Sequence, residues 1–453
     1  MRQMRFILRQ AFLWLFLCSV CSAFAQDANI LRVERIYQWF AAGQGDSIHA
    51  ALNKELQGKL SPAIFNDSYR QTERMFGKAV SKGEWKTDSA QGLTIYYSDM
   101  KFERYNLRFL VSFDADGAMN TIRMVPAPAD AVPQPTAYDA TKLEEREITV
   151  GADGYRLPGT LTLPGQTART KGGKLPCVVL VHGSGPNDRD ETLGPNKPFR
   201  DLAWGLAERG IAVVRYDKRT KVYGAACVPA GRELDYDTEV VDDAVAVVKQ
   251  VKTLPGLAPD SVYVLGHSLG GTLAPRIAAR SEGLAGIIIL AGLARPLEDA
   301  LEEQVTYIAS LTDAAADAKK AQMEELKRQV ANVKKLGTDA FDETIPLPLG
   351  QPRSYWLMAN AYRPVEAAAK LKLPVWVLQG ERDYQVTMED FGLWRFGLLR
   401  CKNAYFKSYP KLNHLLQEGN GKSTPFEYSH ASPVPAYVMD DLASFLHGER
   451  SNL

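Results

Sequence analysis

Apolar positions follow three successive patterns along this chain. Within 30–40, Leu31, Ile36 and Phe40 fall at helical intervals, which predicts an amphipathic helix. Further on, 93–97, 105–113 and 119–125 alternate apolar and polar residues, the pattern of half-buried strands. Asp114-Ala115-Asp116-Gly117 between the last two predicts a hairpin turn. A helix followed by antiparallel strands predicts a small α+β unit over 26–125. The stretch 126–140 then carries Pro126, Pro128, Pro133 and Pro135. Proline at that density blocks ladder hydrogen bonds and stiffens the chain, so a linker is expected there.

The third pattern fills 141–453. It opens with two strand-like runs, 147–150 and 157–163, flanking a Gly-Ala-Asp-Gly turn. From about 175, continuous Val/Ile/Leu runs (177–181, 211–216, 261–265, 286–291 and 374–379) alternate with helical stretches such as 199–209 and 238–253. Strands apolar on both faces and separated by helices predict an α/β fold, a mostly parallel sheet covered by helices. The alternation breaks at about 296–364. Here 297–311 and 323–336 are highly charged with a narrow apolar stripe: Leu297, Leu301, Val305 and Ile308, then Met323, Leu326, Val330 and Val333. Two outcomes fit this insertion, a helical cap over the site or a helical hairpin docked beside the sheet.

Composition narrows the function more than the fold. At 453 residues, 45% hydrophobic and 24% charged, the chain is an ordinary globular protein of two or three domains. Net charge is +1, and without Arg2, Arg5 and Arg9 the chain is slightly acidic. That balance gives no basis for nucleic acid or an anionic membrane as partner. The same three arginines, the apolar run 11–20 and Ala23-Phe24-Ala25 have the layout of an export signal over 1–25. The apolar run is shorter than the about 20 residues that span a bilayer, so cleavage after Ala25 and export are expected, to the periplasm or the medium. Cys18 and Cys21 raise lipoprotein anchoring as an alternative, but Leu17 and Val20 are poor neighbours for lipidation. No second segment is apolar and long enough to be a transmembrane helix. Cys177, Cys227 and Cys401 remain after cleavage. An odd number so widely spread leaves room for one bridge at most and is no disulfide framework. Cys177 opens an apolar run and reads as a small buried hydrophobe.

Candidate chemistry begins at Val262-Tyr263-Val264-Leu265-Gly266-His267-Ser268-Leu269-Gly270-Gly271. A buried strand, Gly-x-Ser-x-Gly and a helix start are the form of a nucleophile elbow. The alternative is a serine in an ordinary βα turn, and the flanking strand and helix patterns favour the elbow. A serine hydroxyl needs a general base, the base needs an orienting carboxylate, and the oxyanion needs N–H donors. In this architecture the chain order is Ser, then Asp or Glu, then His. Asp383, in Gly380-Glu381-Arg382-Asp383 at the carboxyl end of the 374–379 strand, is the expected acid. Glu381 is the fallback, and a helix cap is the structural alternative for Asp383. Of the later histidines, His414 follows the predicted strand 404–409, which is where the base belongs. His430, in a proline-flanked loop, is the rival. His447 lies at a helix end. The oxyanion donors are expected from the N–H groups of Leu269 and of Ser184, the latter in His182-Gly183-Ser184-Gly185 after the 178–181 strand. His182 and His267 read as structural. Asp188, Arg189 and Asp190 either shape the substrate site or form a salt-bridged loop, the second being preferred. No metal-ligand spacing and no Gly-x-Gly-x-x-Gly after a strand is present, so neither a metal nor a dinucleotide is expected.

With these motifs in place, residues 146–448 resemble the α/β-hydrolase superfamily. Within it the chain is similar to secreted bacterial esterases that carry His-Gly-Ser-Gly-Pro-x-Asp-Arg-Asp, here His182 to Asp190. The resemblance implies a Ser268–His414–Asp383 triad and hydrolysis of a small-molecule carboxylic ester without a cofactor. The chain departs from many relatives at Asp217-Lys218-Arg219-Thr220, where they have Asp-x-Arg-Gly-x-Gly, so that loop is expected to differ in shape. The N-terminal unit resembles the small domain of unknown function found ahead of secreted hydrolases, through its helix and the 113–126 ending. Three rivals stand beside ester hydrolysis. The same triad could serve a serine aminopeptidase or thioesterase. The scaffold could be a non-catalytic binding protein, or the N-terminal unit could be a binder of glycan, peptide or protein. Oligomeric state and acyl or alcohol preference have no signal in the sequence.

Overall fold

The computed structural model describes residues 29–66, 68–90, 93–103, 106–127, 138–152, 154–165, 173–311 and 316–449. The expected export signal and the part 128–137 of the expected linker lie outside the described residues. The chain divides into two compact units near residue 130.

In the first unit, a helix over 29–41 and four short helices precede an antiparallel sheet. Its strands are β1 (Ala79–Lys82), β2 (Lys86–Ala90), β3 (Leu93–Phe102), β4 (Asn106–Phe113) and β5 (Met119–Pro126). Their order is β1-β3-β4-β5, with β2 also paired to β3. The helix buries Val33, Ile36 and Phe40 against Met100, Phe109 and Val111. Leu31, counted into the apolar stripe above, is 73% exposed. Ile36 and Phe40 are buried as expected, and Val33 takes the place expected of Leu31. The hairpin forms over the expected turn: Gly117 sits at φ 79°, and the Asp114 carboxylate accepts the Ala118 N–H at 2.8 Å.

The second unit holds an eight-stranded sheet: β6 (Leu143–Val150), β7 (Leu157–Pro164), β8 (Leu175–Val181), β9 (Ala212–Tyr216), β10 (Leu257–His267), β11 (Gly286–Leu290), β12 (Val375–Gly380) and β13 (Ala404–Tyr409). The order is β13-β12-β11-β10-β8-β9-β7-β6, with β7 antiparallel to both neighbours and the strands from β9 to β13 mutually parallel. Every residue of β9, β11 and β12 is buried, because helices cover both faces. Side chains alternate between them. Val178, Leu180 and Leu265 pack against Phe199 and Leu202 of the helix Pro198–Ala207 and Leu442 and Phe445 of the helix Ala436–Leu446. Val179, Val264 and Ile287 pack against Val247 of the helix Asp242–Val251 and Leu273 and Ile277 of the helix Leu269–Arg280. The helix expected over 238–253 opens with one π turn, Asp237–Val241, before becoming α-helical.

Between β11 and β12 lie helices Leu297–Ser310, Ala316–Val333, Arg353–Ala361 and Pro364–Ala369. Their Leu301, Val333, Tyr355 and Trp356 join the core of the second sheet face. The three described cysteines are free, and Cys177 is wholly buried. Among the described residues no helix is long and apolar enough to cross a membrane.

Candidate active site

The carboxyl ends of β8, β10 and β12 and the loop after β13 meet at one edge of the sheet, and each supplies one part of the site. β10 runs directly into the helix Leu269–Arg280, and Ser268 takes the turn between them at φ 53°, ψ −117°. A non-glycine residue with positive φ is uncommon and is held there only by its surroundings. Ser268 N–H donates to the Leu290 carbonyl at 2.9 Å, and the Ser268 carbonyl accepts Thr272 N–H at 2.9 Å. The flanking glycines are needed for space. A Cβ on Gly266 would stand 2.1 Å from the Gly270 carbonyl oxygen, and one on Gly270 would stand 2.2 Å from that of Val181.

Asp383 and His414 are brought together as expected from their positions at adjacent strand ends. Nδ1 of His414 lies 2.6 Å from Oδ2 of Asp383, with both side chains buried. The carboxylate is further held by Gln379 Nε2 at 3.2 Å, and by the N–H groups of Gln385 and Val386 at 2.7 and 3.1 Å. Asp383 therefore closes its own turn and caps no helix. Glu381 is exposed and accepts from Ser408 Oγ. His430 is exposed beside Ser429, and His447 reaches the Arg209 carbonyl. Neither is found in contact with Asp383 or Ser268 among the described residues.

The loop after β8 lies against the serine. A Cβ on Gly183 would be 3.0 Å from Ser268 Cβ and 3.5 Å from its Oγ. Leu269 N–H is the first of its helix, so it has no intrahelical acceptor and carries the positive end of the helix dipole. No hydrogen bond of Ser184 N–H is found among the described residues. Three side chains the sequence reading passed over hold this loop. Glu191 Oε1 accepts Gly183 N–H at 2.6 Å. Lys218 Nζ donates to the Gly183 carbonyl at 2.7 Å and to Glu239 Oε1 at 2.5 Å. Glu239 Oε1 also accepts Gly185 N–H at 3.2 Å. Lys218 falls in the loop expected to differ in shape. That loop continues into a short helix, Arg219–Tyr223, whose Arg219 pairs with Asp243. No local pattern marks these residues, because their partners lie 8 to 76 positions away in the chain.

Asp188, Arg189 and Asp190 form a bonded loop, the reading preferred above. Arg189 pairs with Asp217 and Glu147, and Asp190 with Lys197 and Arg215. His182 packs 5.1 Å from Phe199, ring to ring. Burial pushes its pKa down to about 4, so it is uncharged at neutral pH. His267 is buried between Glu191 and the His414 main chain.

A cavity of about 200 Å³ opens beside Ser268. Ser184 and Leu269 line it from the sheet edge, Glu239 from the π turn Asp237–Val241, and Leu301, Tyr355 and Ala359 from the insertion. Apolar and polar side chains share its wall, which suits a small organic substrate with a polar centre. Among the described residues no cluster of His, Cys, Asp and Glu is placed to hold a metal.

The family model described as serine aminopeptidase, S33, matches residues 177–420. Esterase EstD of Thermotoga maritima is 38% identical over 354 residues, which cover 78% of this chain and 79% of that protein. Among solved structures, Est1E from Butyrivibrio proteoclasticus superposes with a TM-score of 0.43 at 18% identity, over 67% of this chain and 98% of that one. The elbow, the sheet order and the family match over more than half the chain agree: this chain belongs to the serine aminopeptidase, S33, family of α/β hydrolases.

Proposed function

We propose that this chain is an exported serine esterase that cleaves carboxylic esters through an acyl-enzyme. Ser268 attacks the ester carbonyl. His414 takes the hydroxyl proton and returns it to the leaving alcohol, and Asp383 holds the imidazole in the required tautomer. The N–H groups of Leu269 and Ser184 bind the oxyanion. Water then attacks the acyl-enzyme by the same route in reverse. The observation that carries this reading is the buried 2.6 Å contact between His414 Nδ1 and Asp383 Oδ2 at the same sheet edge as the strained Ser268 turn. The 38% identity to an esterase supports the ester as substrate. The arginines and the apolar run at the N-terminus support export.

The test is fluorophosphonate labelling of the purified protein, with turnover of short-chain p-nitrophenyl esters alongside. Labelling at Ser268, lost together with turnover in Ser268→Ala, is the expected result. A folded protein that takes no label would end the mechanism. The family description makes amides the alternative substrate, so an aminoacyl nitroanilide belongs in the same assay. Faster cleavage of that amide than of the esters would move the assignment to a peptidase.

A further inference from the structure

Buried beneath the proposed triad is a second pair of ionisable groups that the mechanism above does not use. Glu191 is held at φ 52°, in the left-handed region, and both its carboxylate oxygens are engaged. Oε1 accepts Gly183 N–H at 2.6 Å, and Oε2 lies 2.8 Å from His267 Nδ1. The other ring nitrogen of His267, Nε2, lies 2.9 Å from the carbonyl oxygen of His414. Gly183 belongs to the oxyanion loop and His414 is the proposed base. The Glu191–His267 pair therefore joins the two halves of the site through three hydrogen bonds.

The bonding calls for a proton on Nε2 and another between Nδ1 and Oε2. A carbonyl oxygen can only accept, so Nε2 must carry a proton. Oε2 and Nδ1 share a second proton, and where Glu191 is ionised that proton stays on Nδ1 and the ring is an imidazolium. The surroundings agree. Burial by itself would lower the pKa of His267, but the Glu191 charge, its hydrogen bond and the His414 carbonyl outweigh burial and raise it. Burial would raise Glu191, but the His267 charge and hydrogen bonds from His267 and Gly183 hold it below its ordinary value. The other groups facing the ring do not reverse this. Asp383 adds a negative charge, His182 is neutral, Phe199 presents an apolar ring at 6.3 Å, and the His414 ring stands 4.6 Å away. Lys218 spends its charge on Glu239.

Resting on the triad reading, we infer that His267 is a positioning residue that works only as an imidazolium. It couples the oxyanion loop to the base loop, and loss of its proton at alkaline pH uncouples them and ends turnover. At high pH the bare Nδ1 would face the Glu191 carboxylate, two acceptors with no proton between them. The pair would separate, and Gly183 and His414 would lose their common tie.

Three measurements on the full chain test this. Nitrogen-15 NMR of histidine-labelled enzyme at neutral pH should show both His267 ring nitrogens protonated; a neutral tautomer would overturn the inference. The pH profile of kcat for a p-nitrophenyl ester should fall on the alkaline side. In Glu191→Gln the amide oxygen can still accept Gly183 N–H while its NH2 donates to Nδ1, so His267 stays neutral with Nε2–H intact. That variant should lose about tenfold or less in kcat, and its alkaline limb should move to higher pH. An alkaline limb unchanged from the parent would overturn the inference. His267→Gln cannot reach both partners and should lose about 100-fold in kcat, as small misplacements at a reacting centre do, with KM little changed. Turnover at the parent rate would overturn the coupling. If either variant fails to fold, the NMR result on the parent decides. Fluorophosphonate labelling separates the two claims. A parent that takes no label refutes the triad and this inference together, whereas a labelled parent with indifferent variants refutes the coupling alone.

Discussion

The Asp383 carboxylate accepts from four donors: His414 Nδ1, Gln379 Nε2 and the N–H groups of Gln385 and Val386. In Asp383→Asn an amide NH2 must face at least one of these donors. On the proposed mechanism His414 then takes the wrong tautomer, and kcat should fall about 10⁴-fold with the fold kept, a cost of the size seen for the equivalent change in a Ser-His-Asp protease. Single-turnover acylation of the variant checks this. His182 gives a prediction for stability. Its folded pKa is about 4 against an ordinary 6.5, so the unfolded chain binds the extra proton first. The stability associated with it is fully present above about pH 6.5 and is lost as pH falls toward 4, by roughly 3 kcal/mol in all. Melting temperature against pH should therefore slope across that window, and the slope should flatten in His182→Phe. An identical slope in the variant would mean that other groups carry the acid sensitivity.

Elements are held in register here by close backbone approaches and by buried charge. The β10 turn packs its helix so closely that a Cβ on Gly270 would meet the Val181 carbonyl at 2.2 Å and the His182 carbonyl at 2.6 Å. Backbone cannot yield as a side chain does. Gly270→Ala should cost about 3 kcal/mol, at the upper end for overpacking, and should abolish Ser268 labelling; denaturant unfolding and the probe measure the two effects. The loop after β9 is tied to the π turn before the helix Asp242–Val251 by the Lys218–Glu239 pair, both members 3% exposed. Lys218→Met leaves a buried carboxylate without its counter-ion, a change that costs about 3–5 kcal/mol. The double variant Lys218→Met, Glu239→Gln removes that charge and should recover much of the loss. Urea midpoints of the three proteins test it.

At the scale of the whole molecule, the two units have separate cores: Val33, Ile36, Phe109 and Val111 in the first, and the two faces of the eight-stranded sheet in the second. A domain with its own core folds alone, so the chain from 131 onward should be soluble and turn over small soluble esters within about twofold of the full chain. A truncated chain that aggregates or is inactive would show that the first unit is needed for folding or for the site. What can be read along the chain is whatever depends on neighbours. Apolar spacing and continuous apolar runs locate every described strand except β1 and β2, and the longer helices, and Gly-x-Ser-x-Gly marks Ser268 because the turn is local. Chain order brings Asp383 and His414 into view. One position of the apolar stripe of the first helix is missed by the same method, since Leu31 and Val33 are equally apolar and only the sheet beneath decides which is buried. Glu191, Lys218 and Glu239 escape it entirely. Each is an ordinary charged residue in the sequence, and each becomes part of the site only where burial removes water and leaves partners 8 to 76 positions away as its counter-charges and hydrogen-bonding groups. Sequence alone determined the fold class and the candidate nucleophile, because local spacing and turn sterics encode them. Tertiary structure alone decided the protonation and bonding of the groups around it, because those depend on desolvation and on contacts between distant loops.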